Sequence, residues 1–259
     1  PFCQHYDVCG GCKWQHVTYE SQIYHKEQSV RQAIRRLGKV EPQAFLPIIP
    51  CEQTRFYRNK LEFSFSNKRW LTKEELNQEG ISNEEDVLGF HKAGAFDKIV
   101  NVEFCHLQGD PSNDLRNSIR EIAIAQGVSF YDMREQVGMM RHMLVRTTSL
   151  DETMLIVSFH EDEPDVIKGL LDAVIEKFPT LTTVYYCINP KVNDFILDLP
   201  MHLYAGKSYI EETLDNVRFR IGPKSFFQTN SKQAKVLYDV AVDFAELTGE
   251  ENVYDLYTG

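Results

Sequence analysis

Apolar positions recur with two distinct periods along the chain, and each period names an element. From Tyr19 to Leu37 the apolar residues Ile23, Val30, Ile34 and Leu37 fall seven, four and three apart, with Thr18 placed as N-cap and Gly38 as stop. That spacing predicts an amphipathic helix of about five turns. In Leu61 to Ser66 the pattern switches to period two, Leu61, Phe63 and Phe65 alternating with Glu62, Ser64 and Ser66, which predicts a half-buried strand. Residues 88–91 and 98–102 read as short strands, and the acidic stretch 72–86 between the two strand regions reads as a surface insertion.

Asp110-Pro111 opens a second helix with Leu115, Ile119, Ile122 and Ala123 on one face before Gly127. Strands follow at 143–147 and 154–159, then a helix opened by Pro164 that carries Ile167, Leu170, Leu171, Val174 and Ile175. A strand at 182–188 and two hairpin-like pieces, 209–214 and 217–221, come next. The chain closes with an amphipathic helix at 231–247, bearing Ala234, Leu237, Val240, Ala241 and Phe244, and the segment Asn-Val-Tyr-Asp-Leu-Tyr-Thr-Gly. The mixture predicts a mixed α/β (α+β) fold rather than a doubly wound sheet. The last segment resembles the opening strand and glycine turn of a nucleotide- or S-adenosylmethionine-binding α/β domain.

Composition narrows the class. With 42% hydrophobic and 25% charged residues over 259 positions the chain is globular and long enough for one large or two ordinary domains. No apolar run has the length of a membrane span and no secretory leader pattern is present, so the expectation is a cytoplasmic protein without a membrane partner. Charge is uneven: residues 1–70 carry a net +5 and residues 71–259 a net −15. A polyanion would therefore have to bind through a local patch.

Cysteines supply the strongest chemical signal. Cys3, Cys9 and Cys12 lie in one tight run with Gly10 and Gly11, and Cys105 stands far downstream in Val-Glu-Phe-Cys-His-Leu. Four thiolates suit either structural zinc or a [4Fe-4S] cluster, and three-plus-one spacing is more typical of the cluster; unliganded thiols remain the bland alternative. His5, His16 and His106 flank the set and read as neighbours rather than ligands, and Asp7 as a turn residue. Cys187, in an apolar strand, reads as a core thiol, and Cys51 as structural.

Two further constellations bear on nucleic acid. Arg55, Arg58, Lys60, Lys68 and Arg69 interleave with Phe56, Tyr57, Phe63 and Trp70. Cations for phosphates and rings for unpaired bases suit single-stranded or looped RNA, while a solvated strand edge with core aromatics accounts for the same letters. Arg141, His142 and Arg146 mark a basic strand, and residues 223–230, Pro-Lys-Ser-Phe-Phe-Gln-Thr-Asn, place two aromatics and two amides just before the last helix.

Taken together, Cys-Gln-His-Tyr-Asp-Val-Cys-Gly-Gly-Cys-Lys-Trp-Gln-His, Phe-Tyr-Arg-Asn-Lys, Gly-Phe-His with the later Cys105, Met-Arg-His-Met-Leu-Val-Arg, Ser-Phe-Phe-Gln-Thr-Asn and Asp-Leu-Tyr-Thr-Gly resemble, in order, the RNA (uracil-5-)-methyltransferase family, in particular its iron-sulfur members acting on 23S ribosomal RNA. The resemblance implies a [4Fe-4S] cluster on Cys3, Cys9, Cys12 and Cys105, and S-adenosylmethionine contacts from Gln228 and Tyr257. It suggests RNA contacts from Arg58, Lys60 and Arg141, with 23S rRNA as partner and a monomer as the working unit. It divides the chain into a cluster-bearing RNA-recognition domain, 1–222, whose helix 19–38 packs on the catalytic domain, and the first elements of a Rossmann-like methyltransferase domain, 223–259.

In that family a cysteine thiolate adds to carbon 6 of a flipped uracil, carbon 5 then takes the methyl group, and a base removes the carbon 5 proton to release the enzyme. Both the nucleophile and the base lie beyond the Asp-Leu-Tyr-Thr-Gly motif, so the resemblance assigns no catalytic residue within these 259 positions and implies a fragment without activity of its own. A noncatalytic RNA-binding module stapled by zinc or iron-sulfur, and a redox carrier, are the competing readings.

Overall fold

The computed structural model describes residues 1–95 and 97–256. A seven-stranded sheet organises them, with spatial order β3-β2-β1-β4-β5-β6-β7. The strands are β1 Lys60–Lys68, β2 Glu84–His91, β3 Ile99–Asn101, β4 Met140–Thr147, β5 Thr153–Phe159, β6 Thr183–Ile188 and β7 His202–Gly206. Every neighbouring pair is antiparallel except β5 and β6, whose parallel pairing requires a crossover. Helix α4, Pro164–Lys177, is that crossover.

One sheet face carries the main core. Leu61, Phe63 and Phe65 of β1, Met143 and Val145 of β4, and Leu155, Val157 and Phe159 of β5 pack with Leu115, Ile119 and Ala123 of α3, Ser112–Ala125, and with Ile167, Leu170, Leu171 and Val174 of α4. The two helices bury the faces that their periodicity marks. On the opposite face Leu144, Met154, Ile156 and Tyr185 are covered by Ile210 and Ile221 of a separate two-stranded hairpin, β8 Ile210–Leu214 and β9 Val217–Ile221.

The structure departs from the sequence expectations in several places, each with a physical reason. Strand β2 begins at Glu84, inside the stretch expected as an insertion, because pairing with β1 as far as Lys68↔Glu84 satisfies the backbone regardless of hydropathy. What remains of that insertion is a single turn, α2 Lys73–Leu76, closed by a capping box between Thr72 and Glu75. Pro111, rather than Asp110, sits at the N-cap of α3. Strand β7, which no apolar alternation marks, is held by its ladder to β6.

The first and last helices, α1 Tyr19–Arg36 and α5 Ser231–Ala245, form as expected, but α1 buries none of its residues and α5 buries only Ala234. Leu237 and Phe244 are 60% and 70% exposed, so the apolar stripe of α5 is uncovered among the described residues. No helix among those residues is long and apolar enough to cross a membrane.

Leu171 has no exposed surface and lies between α4 and the sheet. Leu171→Ala is expected to cost about 2–5 kcal/mol in denaturant unfolding, whereas Leu171→Met, which conserves volume, costs under about 1.5 kcal/mol.

Candidate cluster cage and nucleic-acid interface

Residues 3–12 form a loop that is turned on itself by backbone bonds, Tyr6 N–H to the Cys3 carbonyl at 3.2 Å and Cys9 N–H to the His5 carbonyl at 2.8 Å. Gly10 donates to the His91 carbonyl at 3.0 Å, anchoring the loop to the end of β2. A Cβ at position 10 would lie 2.6 Å from that same carbonyl oxygen, which is why the position is glycine. Cys105 arrives from the segment before α3, and Asn113 clamps it, accepting from its N–H at 2.8 Å and donating to its carbonyl at 3.2 Å.

Cys3, Cys9, Cys12 and Cys105 thus line one small cavity, walled by Phe90, Val102, Phe104 and Leu107. Burial pushes the Cys9 thiol up to about 11, and the neighbouring Cys105, Cys12 and Cys3 add to that rise. Burial likewise raises Cys105. Thiols in such a place deprotonate only when something positive binds them. Arg116 supplies a permanent cation nearby. Its guanidinium donates to Asn113 Oδ1 at 3.0 Å and to the Glu103 carbonyl at 2.6 Å, and although burial pulls it down to about 10 it stays charged at neutral pH.

Of the flanking histidines, His5 and His106 also line this cavity. His5 Nε2 accepts from the Glu103 N–H at 3.3 Å, His16 pairs with the Tyr6 hydroxyl, and His106 meets the rings of Phe2 and Phe104 edge-on and that of Phe56 at a tilt. Among the described residues no group of three or more His, Cys, Asp or Glu side chains is arranged to hold a single metal ion. Cys187 is fully buried, as its strand context predicts. Cys51 lies close to the loop before α5, 3.5 Å from Asn230 Nδ2.

Asn59 makes the connection that sequence reading missed. Its side-chain amide donates to the Gln228 carbonyl at 2.9 Å and to Ser231 Oγ at 2.7 Å, while its N–H donates to the Thr229 carbonyl at 2.8 Å. Arg146 reinforces the joint by donating to the Ser225 carbonyl at 2.7 Å, and the buried carboxylate of Glu212 accepts from Ser231 Oγ at 3.2 Å. Phe-Tyr-Arg-Asn-Lys and Ser-Phe-Phe-Gln-Thr-Asn, remote in sequence, are therefore one structural unit. On its other side the first of these segments pairs with the cysteine region, Phe56 N–H to the His106 carbonyl at 2.7 Å and Arg58 N–H to the Leu107 carbonyl at 2.8 Å.

Two open spaces flank this unit. A cleft of about 600 Å³ runs between the cysteine loop, α1 and the first turn of α5, lined in part by Lys13, Trp14, Tyr19, Lys26, Tyr57 and Arg58. A wider groove of about 990 Å³ is formed by residues 44–47, Ile49, Gln228 to Asn230 and the apolar stripe of α5. Gln228 is exposed at its edge, its backbone fixed by Asn59. Tyr257 lies outside the described residues.

The three expected RNA-contacting cations have different placements. Arg58 faces the cleft. Lys60 pairs with Glu62 at 2.6 Å. Arg141 is only 1% exposed and points inward, over the ring of Tyr131 and onto the carbonyls of Asn189, Lys191, Val192 and Asn193 and the Asp194 carboxylate. An irregularity in the β4–β5 ladder between Met140 and His142 accompanies this inward turn. Arg141 therefore holds the 189–194 loop and does not present a cation to a phosphate.

The chain is similar along its whole length to proteins named uncharacterized RNA methyltransferase: 49% identical over 262 residues to one from Bacteroides thetaiotaomicron, 50% over 264 to one from Porphyromonas gingivalis and 31% over 268 to one from Chlorobaculum tepidum. All of this chain is covered in each case, but only 58%, 57% and 54% of the relatives, so it spans little more than half their length. Among solved structures it resembles the Pyrococcus abyssi tRNA (uracil-54, C5)-methyltransferase in complex with S-adenosyl-L-homocysteine, with a TM-score of 0.66 and 25% identity over 91% of this chain and 50% of that one. No family model matches the chain. These likenesses agree with the RNA methyltransferase resemblance at the level of the class, and they lend no support to the expectation of an inactive fragment.

Asn59→Ala is expected to lower stability by about 1–3 kcal/mol in denaturant unfolding because it orphans the Gln228 carbonyl and Ser231 hydroxyl. Asn59→Asp, which turns an acceptor toward that carbonyl, does not rescue it. Asp194 gives a pH test. Burial pushes its carboxyl up, but His142, Arg141 and His91 outweigh burial and bring it down to about 2. The stability it contributes is complete above the ordinary aspartate value of about 3.9 and is lost as pH falls toward about 2. Asp194→Asn should flatten the pH dependence of stability in that acid window.

Proposed function

We propose that the chain is the RNA-engaging part of an S-adenosylmethionine-dependent RNA methyltransferase that modifies carbon 5 of a uracil in 23S rRNA, with Cys3, Cys9, Cys12 and Cys105 holding a [4Fe-4S] cluster. The observation that carries this reading is the convergence of four cysteines from two distant segments on one cavity, directly against a basic and aromatic cleft. Whole-length similarity to proteins named RNA methyltransferases supports the reaction class, and the solved neighbour, itself a uracil C5 enzyme holding S-adenosyl-L-homocysteine, supports the target atom and the methyl donor.

Four thiols from two distant segments border one small cavity, and their three-plus-one spacing along the chain is more typical of a cubane cluster than of structural zinc. Phe90, Val102, Phe104 and Leu107 give the cavity an apolar side, and Arg116 offsets thiolate charge. When bound, the cluster supplies a rigid tie between residues 3–12 and Cys105 and takes no part in the redox-neutral chemistry. Arg58, with Lys13 and Lys26, meets phosphates, and Trp14 and Tyr57 offer ring faces to unpaired bases. Gln228, at the edge of the groove beside α5, would contact the methyl donor, a role the family resemblance gives to Tyr257 as well.

The test is methyl transfer from labelled S-adenosylmethionine to a 23S rRNA fragment by the full-length gene product, with position analysis of the product. The account predicts label at carbon 5 of one uracil. Binding without transfer would replace it with the noncatalytic RNA-binding module. Cys9→Ser is expected to lose the brown cluster absorption and solubility together; loss of the absorption with stability intact would remove the structural role.

A further inference from the structure

A third cavity, of about 200 Å³, opens on the sheet face away from α3 and α4. Glu62 and Ser64 of β1, His91 ending β2, His142 of β4, Ser158 of β5 and Asp194 from the loop after β6 build it. The strand register sets three of them in one row across the sheet, Ser64 opposite His142 and His142 opposite Ser158. The next row, Glu62 opposite Leu144 and Leu144 opposite Ile156, also borders the cavity, and Leu144 and Ile156 pack with Ile210 and Ile221 of the β8–β9 hairpin. The polar row is left uncovered by that hairpin.

Its polar groups are short of partners. The side chain of His142 is only 14% exposed; its Nε2 lies 3.3 Å from Asp194 Oδ1, the contact that draws the Asp194 carboxyl down, while its Nδ1 has no partner among the described residues. His91 Nδ1 has no partner among the described residues, while its Nε2 meets Ser64 Oγ at 3.1 Å. Ser158 is 1% exposed and its hydroxyl has only the weak Cys187 thiol beside it. Each buried orphan costs about 1–3 kcal/mol, a cost that a bound ligand removes.

Charge says what the ligand is not. Both Glu62 and Asp194 face the cavity, and the nearby cations are committed, Lys60 to Glu62 and Arg141 to Asp194 and the loop carbonyls. A phosphate would meet carboxylates. The volume is below the roughly 300–1,000 Å³ of sites for drug-sized ligands, leaving room for one planar ring system. Carboxylate and imidazole acceptors suit the amino edge of a base, and imidazole faces suit stacking.

We propose that this pocket takes one unpaired RNA nucleobase that carries an exocyclic amino group, adenine, cytosine or guanine in preference to uracil, with Asp194 accepting from the amino group and His142 and His91 satisfying the rest of its edge. The proposal rests on the RNA reading above and puts a sequence-reading contact at a base other than the uracil that is modified.

The experiment is fluorescence anisotropy of the full-length protein with short labelled oligo(A), oligo(C) and oligo(U). Wild type is expected to bind oligo(A) and oligo(C) about tenfold more tightly than oligo(U), the size of one good edge contact. Asp194→Asn and His142→Gln should bring both down to the oligo(U) affinity, while Arg58→Ala, outside the pocket, weakens all three alike. Should Asp194→Asn melt early, His142→Gln carries the comparison, since it leaves the Arg141 contact in place. Equal affinities in wild type, or a preference that survives in a folded variant, overturns the pocket. Absence of binding to every oligonucleotide would overturn the RNA reading beneath it as well.

Discussion

The register of β1 against β4 is the constraint on which the rest depends. Lys60 lies opposite Arg146 and Ser64 opposite His142, and that single alignment decides what happens on both faces and at the strand entrance. It sends Phe63 and Phe65 under the helices. It brings Asn59 to Thr147, whose N–H donates to the Asn59 carbonyl at 2.9 Å, and so positions the amide that fastens the 225–231 loop. A slip of one residue would exchange the two faces of β1, placing Glu62 and Ser64 in the core and the phenylalanines in the polar row.

From that alignment the functional parts follow in order. The chain entering β1 pairs with the carbonyls just after Cys105, so the cysteine cage and the loop containing Gln228 are held by opposite sides of one five-residue segment. A cluster bound among these cysteines would be coupled to the basic cleft through Arg58 and to the loop of Gln228 through Asn59. Lys13, Lys26 and Arg58 line that cleft, a local basic patch of the kind a polyanion would need on a chain of net charge −10.

Much of this was legible from the letters. Alternation at Leu61, Phe63 and Phe65 and the stripe Ile167, Leu170, Leu171 and Val174 announce their elements because burial has a period. The four cysteines, singled out because their chemistry is rare, do meet at one cavity. Arg141 was misleading for the converse reason: a basic residue at a strand entrance reads as surface, and only the loop carbonyls and the irregular ladder beside it explain its burial. Asn59 lay within the Phe-Tyr-Arg-Asn-Lys motif, but its bonding role was not legible, since its partners are 169 and 172 residues away. The histidines at 91 and 142 lay within recognised motifs, but their meeting with Asp194 belongs to the tertiary fold.

The central claim is that Cys3, Cys9, Cys12 and Cys105 hold one [4Fe-4S] cluster that ties the N-terminal loop to the sheet. Its most direct test is the iron, inorganic sulfide and zinc content of anaerobically prepared protein. The account predicts about four irons and four sulfides per chain, lost in Cys105→Ser. About one zinc per chain with no sulfide would contradict it.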